Sequence, residues 1–473
     1  MPWMRQAPGA ASIAVTYANL WQDGRWLRDA TVAIGAGGEI AAISQAARAA
    51  SAAPEYVHGL TVPGLIDAHC HAFQRALGAW TQRAASQRDD FWSWREPMYA
   101  LAARLTPADL EAISARCYLD LLRGGYTGVA EFLYLHRLHA GPAGAPDADQ
   151  AVAAAARRTG IGLTLLPTLY QHANFGGVPP RPGQQPFVRS TPQFLDDWQE
   201  LRRRYPGGGD VMLGAAFHSL RAVDIEVIGR VQSVLRADAS CRCLHIHVAE
   251  QPQEVAGCQR QHGLPPIALL AARGLLSPQW ALVHGTHASD SELTQLRTAQ
   301  ATLVLCPTTE ADLGDGCPAV APFLDAGGLI AIGSDSNIAR ESLPELRQLE
   351  WSQRLARGRR NVLAGAHQPA VADRLFAAAL RGGQAAIGAA AAAAGPRADF
   401  VTYDETDSLQ QQPDDYLSAL VFDTAAPQAR QVMIGGRWII RDGTHPEEAR
   451  INSEFRETLQ RLALTRAAPG DER

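Results

Sequence analysis

The sequence predicts an α/β protein built on a (β/α)8 TIM-like barrel, with a small β-sandwich formed by both chain termini. Two observations predict this architecture. From about residue 61 onward, short apolar runs alternate with longer amphipathic stretches, which is typical of βα units and a parallel sheet. Both ends of the chain instead alternate apolar and polar residues around glycines, which is typical of antiparallel strands. The length of 473 residues suits one large body with an accessory module.

The strand candidates of the barrel lie between residues 61 and 333. They read Thr61 to Ala68, Thr127 to Leu133, Gly162 to Thr168, Val211 to Phe217, Arg242 to His247, Trp280 to His284, Thr302 to Cys306 and Leu329 to Gly333. Amphipathic patterns between them predict helices, among them Pro107 to Arg123, Thr191 to Arg204 and Leu343 to Arg357. Eight such βα units are what a closed barrel requires.

Domain boundaries follow from the same patterns. Residues 61–394 are assigned to the barrel. Residues 1–60 and 395–450 are each too short to bury a core alone, so we expect them to meet in one small β-sandwich beside the barrel. Residues 451–473 are assigned to a C-terminal helix or tail.

Composition excludes several classes of function. Hydrophobic residues make up 47% of the chain and charged residues 19%, which is ordinary for a globular protein. The net charge of −5 provides no basic field for phosphates, so nucleic acid is not an expected partner. The seven cysteines contain no Cys-x2-Cys pair and, being odd in number, form no complete disulfide framework. No apolar run reaches the length of a membrane span, so we expect a cytoplasmic protein without a membrane partner.

Two histidines one residue apart end the first predicted strand. Side chains at positions i and i+2 of a strand project to the same face, so His69 and His71 can bind one metal ion. Histidines at this spacing also occur for packing or solvation. The other ligands must therefore come from elsewhere in the barrel.

Active sites of barrels lie at the C-terminal ends of the strands, and candidate ligands are found there. The fifth strand ends with His247, and Asp335 follows the eighth strand. His245 shares a strand face with His247, but His247 is nearer the strand end and precedes Glu250 by three residues. Three imidazoles and one carboxylate leave a position open for water, as in catalytic zinc sites. We therefore assign one Zn²⁺ per subunit to the ligands His69, His71, His247 and Asp335.

The same strand ends carry groups that can move protons. A divalent cation lowers the pKa of bound water towards neutrality. Asp335 is placed to accept a proton from this water, and Glu250 to carry a proton to a departing nitrogen. His284, which ends the sixth strand, is placed to polarise the attacked centre or to steady the hydroxide. An isolated Asp or His at a strand end is commonly a helix cap or a packing residue, so the assignment depends on their coincidence.

Longer motifs connect these residues to a known family. Pro63-Gly-Leu-Ile-Asp-Ala-His-Cys-His71, His247-x-x-Glu250, His284 and Ser334-Asp335-Ser336 resemble the amidohydrolase superfamily of metal-dependent deaminases and hydrolases. Six further motifs are similar to its formimidoylglutamate deiminase group: His71 to Arg75, Phe91 to Glu96, Glu131 to His136, Phe217 to Arg221, His247 to Gln251 and Leu305 to Gly316. The motifs extend through the whole barrel.

The resemblance implies a mononuclear zinc enzyme, forming a homodimer, that hydrolyses N-formimino-L-glutamate to N-formyl-L-glutamate and ammonia in histidine degradation. It also implies that the two carboxylates of this small-molecule substrate are held by Gln74, Arg95, Tyr134, His218 and Arg221. Such a dianion calls for guanidinium groups, which bind carboxylates in a bidentate way.

Two other functions remain open at this stage. A deaminase of a nucleobase or a guanidine compound would keep the same four ligands, together with Glu250 and His284. Only the residues that hold the substrate carboxylates, such as Arg95 and Arg221, distinguish that enzyme. A barrel that binds without catalysis is the third possibility, although such a protein has no need to keep every ligand position filled.

Overall fold

The computed structural model describes residues 11–45, 55–82, 84, 89–139, 147–207, 210–389, 396–405, 412–423 and 427–462. The strands are β1 Ala11–Gln22, β2 Arg25–Gly35, β3 Ile40–Ser44, β4 Glu55–Pro63, β5 Leu65–Cys70, β6 Tyr126–Leu133, β7 Gly162–Leu169, β8 Val211–Ser219, β9 Cys241–Val248, β10 Trp280–His284, β11 Thr302–Leu305, β12 Leu329–Ile332, β13 Phe400–Tyr403, β14 Ala429–Ile434 and β15 Arg437–Ile440. The helices are α1 Phe91–Ala102, α2 Pro107–Arg123, α3 Ala148–Thr159, α4 Thr191–Arg204, α5 Ile225–Arg236, α6 Pro252–His262, α7 Pro266–Ala272, α8 Asp290–Thr298, α9 Pro307–Asp312, α10 Val320–Asp325, α11 Ser342–Arg357, α12 Val371–Ala386, α13 Tyr416–Ser418 and α14 Glu448–Leu462.

The parallel strands β5 to β12 follow one another around the barrel in chain order. Hydrogen bonds at the seam join β5 to the chain just after β12: the Asp335 amide donates to the His69 carbonyl over 2.9 Å, and the His71 amide donates to the Asp335 carbonyl over 3.1 Å. The predicted (β/α)8 barrel is confirmed. Three residues proposed as metal ligands thus close the barrel with their own main chain.

The remaining strands form a seven-stranded sheet in the order β15, β14, β13, β4, β1, β2 and β3. The three C-terminal strands form one half of this sheet and the four N-terminal strands the other, joined where β13 pairs with β4. Together they bury a core of their own that includes Val15, Tyr17, Val32, Phe400 and Met433. The expected small β-domain built from both termini is therefore present. Its strands are joined in one continuous hydrogen-bonded sheet, where a sandwich was expected.

The first predicted strand, Thr61 to Ala68, is divided at Gly64. Thr61 pairs with Thr402 of the small sheet, so that sheet extends to Pro63 and the barrel begins at β5. A side chain at Gly64 would lie 2.1 Å from the Thr127 methyl group, so this crossing point requires glycine. An uninterrupted apolar run concealed the change of sheet. The predicted boundary at residues 394 and 395 lies outside the described residues.

The helices agree closely with their predicted bounds. Pro107 to Arg123 and Thr191 to Arg204 coincide with α2 and α4, and α11 begins one residue before the predicted Leu343. The C-terminal helix α14 begins at Glu448, three residues earlier than predicted, and residues 463–473 lie outside the described part of the chain. None of the helices in the described ranges is long and apolar enough to cross a membrane.

Gly382 sets how closely α12 packs on the barrel. A methyl group at this position would lie 1.7 Å from the carbonyl oxygen of Ile330 in β12. We expect Gly382→Ala to lower the free energy of unfolding by about 1–3 kcal/mol, because the helix must move away from the strand. The control is Gly229→Ala in α5, where the added methyl group makes only an ordinary contact of 3.7 Å. Since alanine favours helix, this control should gain up to about 1 kcal/mol. Equal effects of the two substitutions in urea unfolding would contradict the close approach of α12.

Candidate metal centre and active site

Four side chains converge at the C-terminal end of the barrel: His69, His71, His247 and Asp335. One potential ligand atom from each lies within 4.8 Å of the others, and all four residues are buried. The Nε2 atoms of His69 and His247 are 3.0 Å apart. Asp335 Oδ1 lies 3.4 Å from Nε2 of His69 and 3.4 Å from Nε2 of His71. The structure thus brings together the four residues that the sequence assigned to one metal ion.

Hydrogen bonds fix the direction in which two of these imidazoles present a free nitrogen. Nδ1 of His71 lies 3.1 Å from the carbonyl oxygen of Phe132, and Nδ1 of His247 lies 2.8 Å from that of His218. Because a carbonyl only accepts, each Nδ1 donates its hydrogen and each Nε2 directs a lone pair to the common centre. Burial lowers the pKa of both rings, and lowers the pKa of His69 to about 3. Neutral imidazoles and one carboxylate around a single point fit a divalent cation such as zinc.

His245, the alternative to His247 on the same strand, is not part of this group. Its Nε2 atom lies 2.8 Å from the carbonyl oxygen of Ala386, at the end of α12. Its imidazole therefore contacts the main chain of another element. The two histidines have different surroundings although they share one face of β9.

The main chain is held in unusual conformations around the metal centre. Ala249, His284 and Asp335 have φ angles of +51°, +73° and +45°. A non-glycine residue in this region costs on the order of 1–3 kcal/mol, and such residues cluster at functional sites. The Asp335 segment is held by Asp67, whose carboxylate accepts hydrogen bonds of 2.9 and 2.6 Å from the amide and the hydroxyl of Ser334. Buried contacts therefore maintain the conformation that aims Asp335 at the histidines.

His284 lies between two carboxylates beside this group. Its Nε2 atom is 3.8 Å from Glu250 Oε1, and its Nδ1 atom is 3.4 Å from Glu310 Oε1. The Cys306 amide donates to the same Glu310 oxygen over 2.9 Å and fixes its position. Burial raises the pKa of Glu250 to about 7. Burial lowers the pKa of His284, but the charge of Glu250 and the contact with Glu310 outweigh it and raise that pKa to about 10. A carboxylic acid with a pKa near neutrality suits proton transfer in both directions.

Helix α1 covers the cavity in front of the metal centre. The helix begins after Asp90, whose carboxylate accepts hydrogen bonds from the amides of Trp92 and Ser93. Five cavity-lining side chains, spaced so that they share one face of the helix, follow from this start: Phe91, Trp94, Arg95, Met98 and Tyr99. The opposite wall contains His71, His247, Glu250, His284 and Asp335. The cavity thus places any bound molecule between α1 and the predicted catalytic groups.

The two predicted carboxylate-binding arginines lie differently. Arg95 lines the cavity, and its guanidinium carbon lies 4.6 Å from the centre of the Trp92 ring. Within the described residues, no carboxylate lies within ion-pair distance of Arg95, and its Nε atom is buried without a hydrogen-bond partner. Arg221 is buried beside Trp92, with Nη2 3.7 Å from Glu250 Oε2, and it is not among the residues that line the cavity.

The other predicted substrate-binding residues surround the cavity. Gln74, Tyr134 and His218 all line it. The amide nitrogen of Gln74 donates to the Tyr134 hydroxyl over 2.9 Å, while its oxygen Oε1 is buried without a partner among the described residues. The ring of His218 packs against the ring of His247 at 5.0 Å between centroids. These side chains form a polar wall that leads away from the metal centre.

A family model described as the amidohydrolase family matches residues 60–439. The chain belongs to the amidohydrolase family. Formimidoylglutamate deiminase from Pseudomonas aeruginosa is 40% identical to this amidohydrolase over 446 residues, which cover 92% of this chain and 96% of the relative. The 8-oxoguanine deaminase of the same organism is 30% identical over 395 residues, 81% of this chain and 83% of the relative. The crystal structure of an amidohydrolase from Brucella melitensis superposes with a TM-score of 0.89 at 35% identity, covering 96% of this chain and all of that one.

Several buried polar residues of this amidohydrolase site were not singled out from the sequence. Tyr99 and Tyr170 line the cavity, and Glu310 contacts His284. Asp315 is buried and bonded to the Gln251 side chain, and burial together with the charge of Glu250 raises the pKa of Asp315 to about 8. Glu310 and Asp315 both lie in the Leu305 to Gly316 motif, so the motif held the signal. No sequence signal identified the two tyrosines as functional, because a lone tyrosine is most often a packing residue.

Proposed function

We propose that this amidohydrolase is a zinc-dependent formimidoylglutamate deiminase, which hydrolyses N-formimino-L-glutamate to N-formyl-L-glutamate and ammonia. In this proposal, one Zn²⁺ per subunit is held by His69, His71, His247 and Asp335, and a homodimer acts in histidine degradation in the cytoplasm. The similarity to formimidoylglutamate deiminase from Pseudomonas aeruginosa over nearly the whole of both chains supports the proposal.

The observation that carries the choice of substrate is the Arg95 guanidinium in the cavity, which contacts aromatic rings but has no carboxylate partner among the described residues. Burial lowers the pKa of Arg95, and the positive charge of Arg221 acts in the same direction. Aromatic rings compensate a partly desolvated cation only in part, so an arginine in this state favours the binding of an anion from outside the protein. A substrate carboxylate supplies that anion. Neutral nucleobases have no group that compensates this charge.

The chemistry assigned to the site is hydrolysis of an amidine. A divalent cation, when bound, makes water available as a nucleophile near neutral pH. The oxygen of water forms a bond to the amidine carbon, and the carbon–nitrogen bond to the terminal nitrogen breaks, so that ammonia leaves and the formyl amide remains. Asp335 accepts a proton from the water, and Glu250 delivers a proton to the leaving nitrogen. His284, held by Glu310, stabilises negative charge at the reacting centre.

The experiment that tests this function measures ammonia release by the zinc-loaded protein. N-formimino-L-glutamate is compared with adenosine, guanine and cytosine at equal concentrations. We expect release from the amino-acid derivative alone. Turnover of a nucleobase with an inert N-formimino-L-glutamate would instead support a nucleobase deaminase, the alternative suggested by the similarity to 8-oxoguanine deaminase.

Arg95→Met tests the role of the cavity arginine. We expect KM for N-formimino-L-glutamate to rise by about tenfold to a hundredfold, because a hydrogen bond to a charged group contributes about 1.5–3 kcal/mol. The matched control is Arg181→Met, which removes an exposed guanidinium paired with Glu96 next to Arg95. This control should leave KM within about twofold, as is usual for surface substitutions. Equal KM values for the two variants would remove Arg95 from substrate binding.

A further inference from the structure

We propose that Tyr99 and Tyr170 form a second anion-binding wall of the cavity, positioned by Gln184, that binds the substrate carboxylate remote from the amidine. This inference rests on the proposed function, since it takes the dianionic substrate as given. None of these three residues belongs to the set assigned from the sequence. The two tyrosines would be specificity-determining residues, and Gln184 a positioning residue.

Hydrogen bonds orient the amide group of Gln184. The main-chain amide of Arg181 donates to Gln184 Oε1 over 2.8 Å, which identifies that atom as the oxygen. Nε2 must therefore face the other way, where it donates to the Tyr170 hydroxyl over 2.6 Å and to the Tyr99 hydroxyl over 3.4 Å. Gln184 is only 1% exposed, so solvent does not compete for these bonds.

The orientation of Gln184 leaves each tyrosine as a hydrogen-bond donor. Each phenolic oxygen accepts a hydrogen from Nε2, so its own hydrogen must point elsewhere. Among the described residues, no acceptor receives either hydroxyl hydrogen, although both side chains are buried and line the cavity. Burial raises the pKa of Tyr170 to about 12, which keeps its hydroxyl protonated. Two donors are thus available to a bound anion.

A cation stands beside these two donors. The guanidinium carbon of Arg95 lies 5.6 Å from the centre of the Tyr99 ring. A guanidinium and two hydroxyl donors, without a carboxylate among them, match the acceptor pattern of a carboxylate. A nucleobase ring, which presents donors as well as acceptors, would leave some of its groups unpaired against such a wall.

The position of the wall assigns it to the distal carboxylate. From the proposed ligand His247, the ring of His218 follows at 5.0 Å, and the ring of Tyr170 lies 4.6 Å beyond that of His218. The ring of His218 thus contacts both His247 and Tyr170, and Tyr99 is joined to Tyr170 through the Gln184 amide. The amidine reacts at the metal centre, and the side-chain carboxylate of the glutamyl group is the end of the substrate farthest from it.

The test uses zinc-loaded protein and three substrates. N-formimino-L-glutamate carries both carboxylates, the N-formimino derivative of 4-aminobutyrate carries only the distal one, and that of L-2-aminobutyrate carries only the one next to the nitrogen. We expect Tyr170→Phe and Tyr99→Phe each to raise KM about tenfold for the first two substrates, with kcat little changed. KM for the third substrate should not move. Tyr56→Phe in the small sheet controls for loss of a tyrosine hydroxyl.

Gln184→Glu tests the positioning role separately. A carboxylate of the same shape would accept the two hydroxyl hydrogens and withdraw them from the cavity. At neutral pH, we expect this variant to raise KM for the two substrates with a distal carboxylate about as much as the loss of a hydroxyl does. Calorimetric binding of N-formyl-L-glutamate should weaken in parallel. If Gln184 had a purely structural role, the variant would be less stable and KM would change equally for all three substrates.

The outcomes separate this inference from the proposed function. Wild-type turnover of N-formimino-L-glutamate with unchanged KM in both tyrosine variants would overturn the anion-binding wall and leave the deiminase intact. Equal losses for all three substrates would overturn it as well. A wild-type protein that does not hydrolyse N-formimino-L-glutamate would overturn both proposals.

Discussion

Exchange of His247 for asparagine is expected to abolish zinc binding and to lower turnover by about a thousandfold or more. Loss of a residue that only supports a metal ligand typically costs about 10–100-fold, and loss of a ligand costs more. The Nδ1 hydrogen bond to the His218 carbonyl shows that the Nε2 lone pair of His247 is presented to the metal centre. Zinc content by mass spectrometry and ammonia release measure the two effects.

His245→Asn is the matched control, since it removes an imidazole two residues earlier on the same strand. The Nε2 atom of His245 is already used in a hydrogen bond to the Ala386 carbonyl. We therefore expect this variant to bind one zinc ion per subunit and to retain turnover, with some loss of stability. Zinc bound by His247→Asn but not by His245→Asn would reverse the assignment of the third imidazole.

Metal removal should also be visible in stability. A ligand present at 1,000 times its dissociation constant stabilises the folded state by about 4 kcal/mol. Dialysis against a chelator should lower Tm of the wild type, while His247→Asn should show the same Tm before and after this treatment. Full activity of the chelated protein would contradict a zinc-dependent reaction.

The proposed metal ligands could be located from the sequence because of a general property of parallel barrels. The C-terminal ends of all strands meet at one rim, so residues far apart in sequence, such as His71 and Asp335, come close once each is recognised at a strand end. The choice of His247 over His245 used the same rule of position. The imidazole of His245 contacts the main-chain carbonyl of Ala386, which the sequence does not reveal. This contact is the physical reason why the two histidines differ.

The wall formed by Tyr99 and Tyr170 could not be predicted in this way. Tyr99 lies on α1 and Tyr170 directly follows β7, so only the path of the covering helix brings them together. Their availability as donors depends on the orientation of the Gln184 side-chain amide. The pattern of apolar and polar residues in the sequence does not predict that orientation. The assignment of Arg221 to substrate binding stays a prediction, and its contact with Glu250 is one that the motif did not reveal.

Glu250→Gln is expected to lower kcat by about 10²–10⁴-fold while zinc remains bound, because the amide cannot deliver a proton to the leaving nitrogen. The substitution conserves shape beside His284 and Arg221, whose nearest atoms lie 3.8 and 3.7 Å from the carboxylate. Glu457→Gln on the exposed face of α14 is the control and should have wild-type kcat. Full kcat in Glu250→Gln with zinc bound would remove this carboxylate from proton transfer.

The pKa of Glu250 adds a second readout for the same substitution. Burial raises this pKa from 4.5 in the unfolded chain to about 7 in the folded protein, so folding takes up a proton at this site. The contribution of the group to stability is full below about pH 4.5 and is lost as the pH rises towards 7, because the folded state must then bury a charge. Glutamine carries no charge at any of these pH values. In metal-free protein, Tm of Glu250→Gln should therefore rise relative to the wild type between pH 5 and about pH 7. Turnover of the zinc-loaded wild type should fall over the same pH range, as Glu250 loses its proton. A difference in Tm that does not change with pH would show that Glu250 is already ionised in the folded protein at pH 5, and that its proton is not available to the reaction.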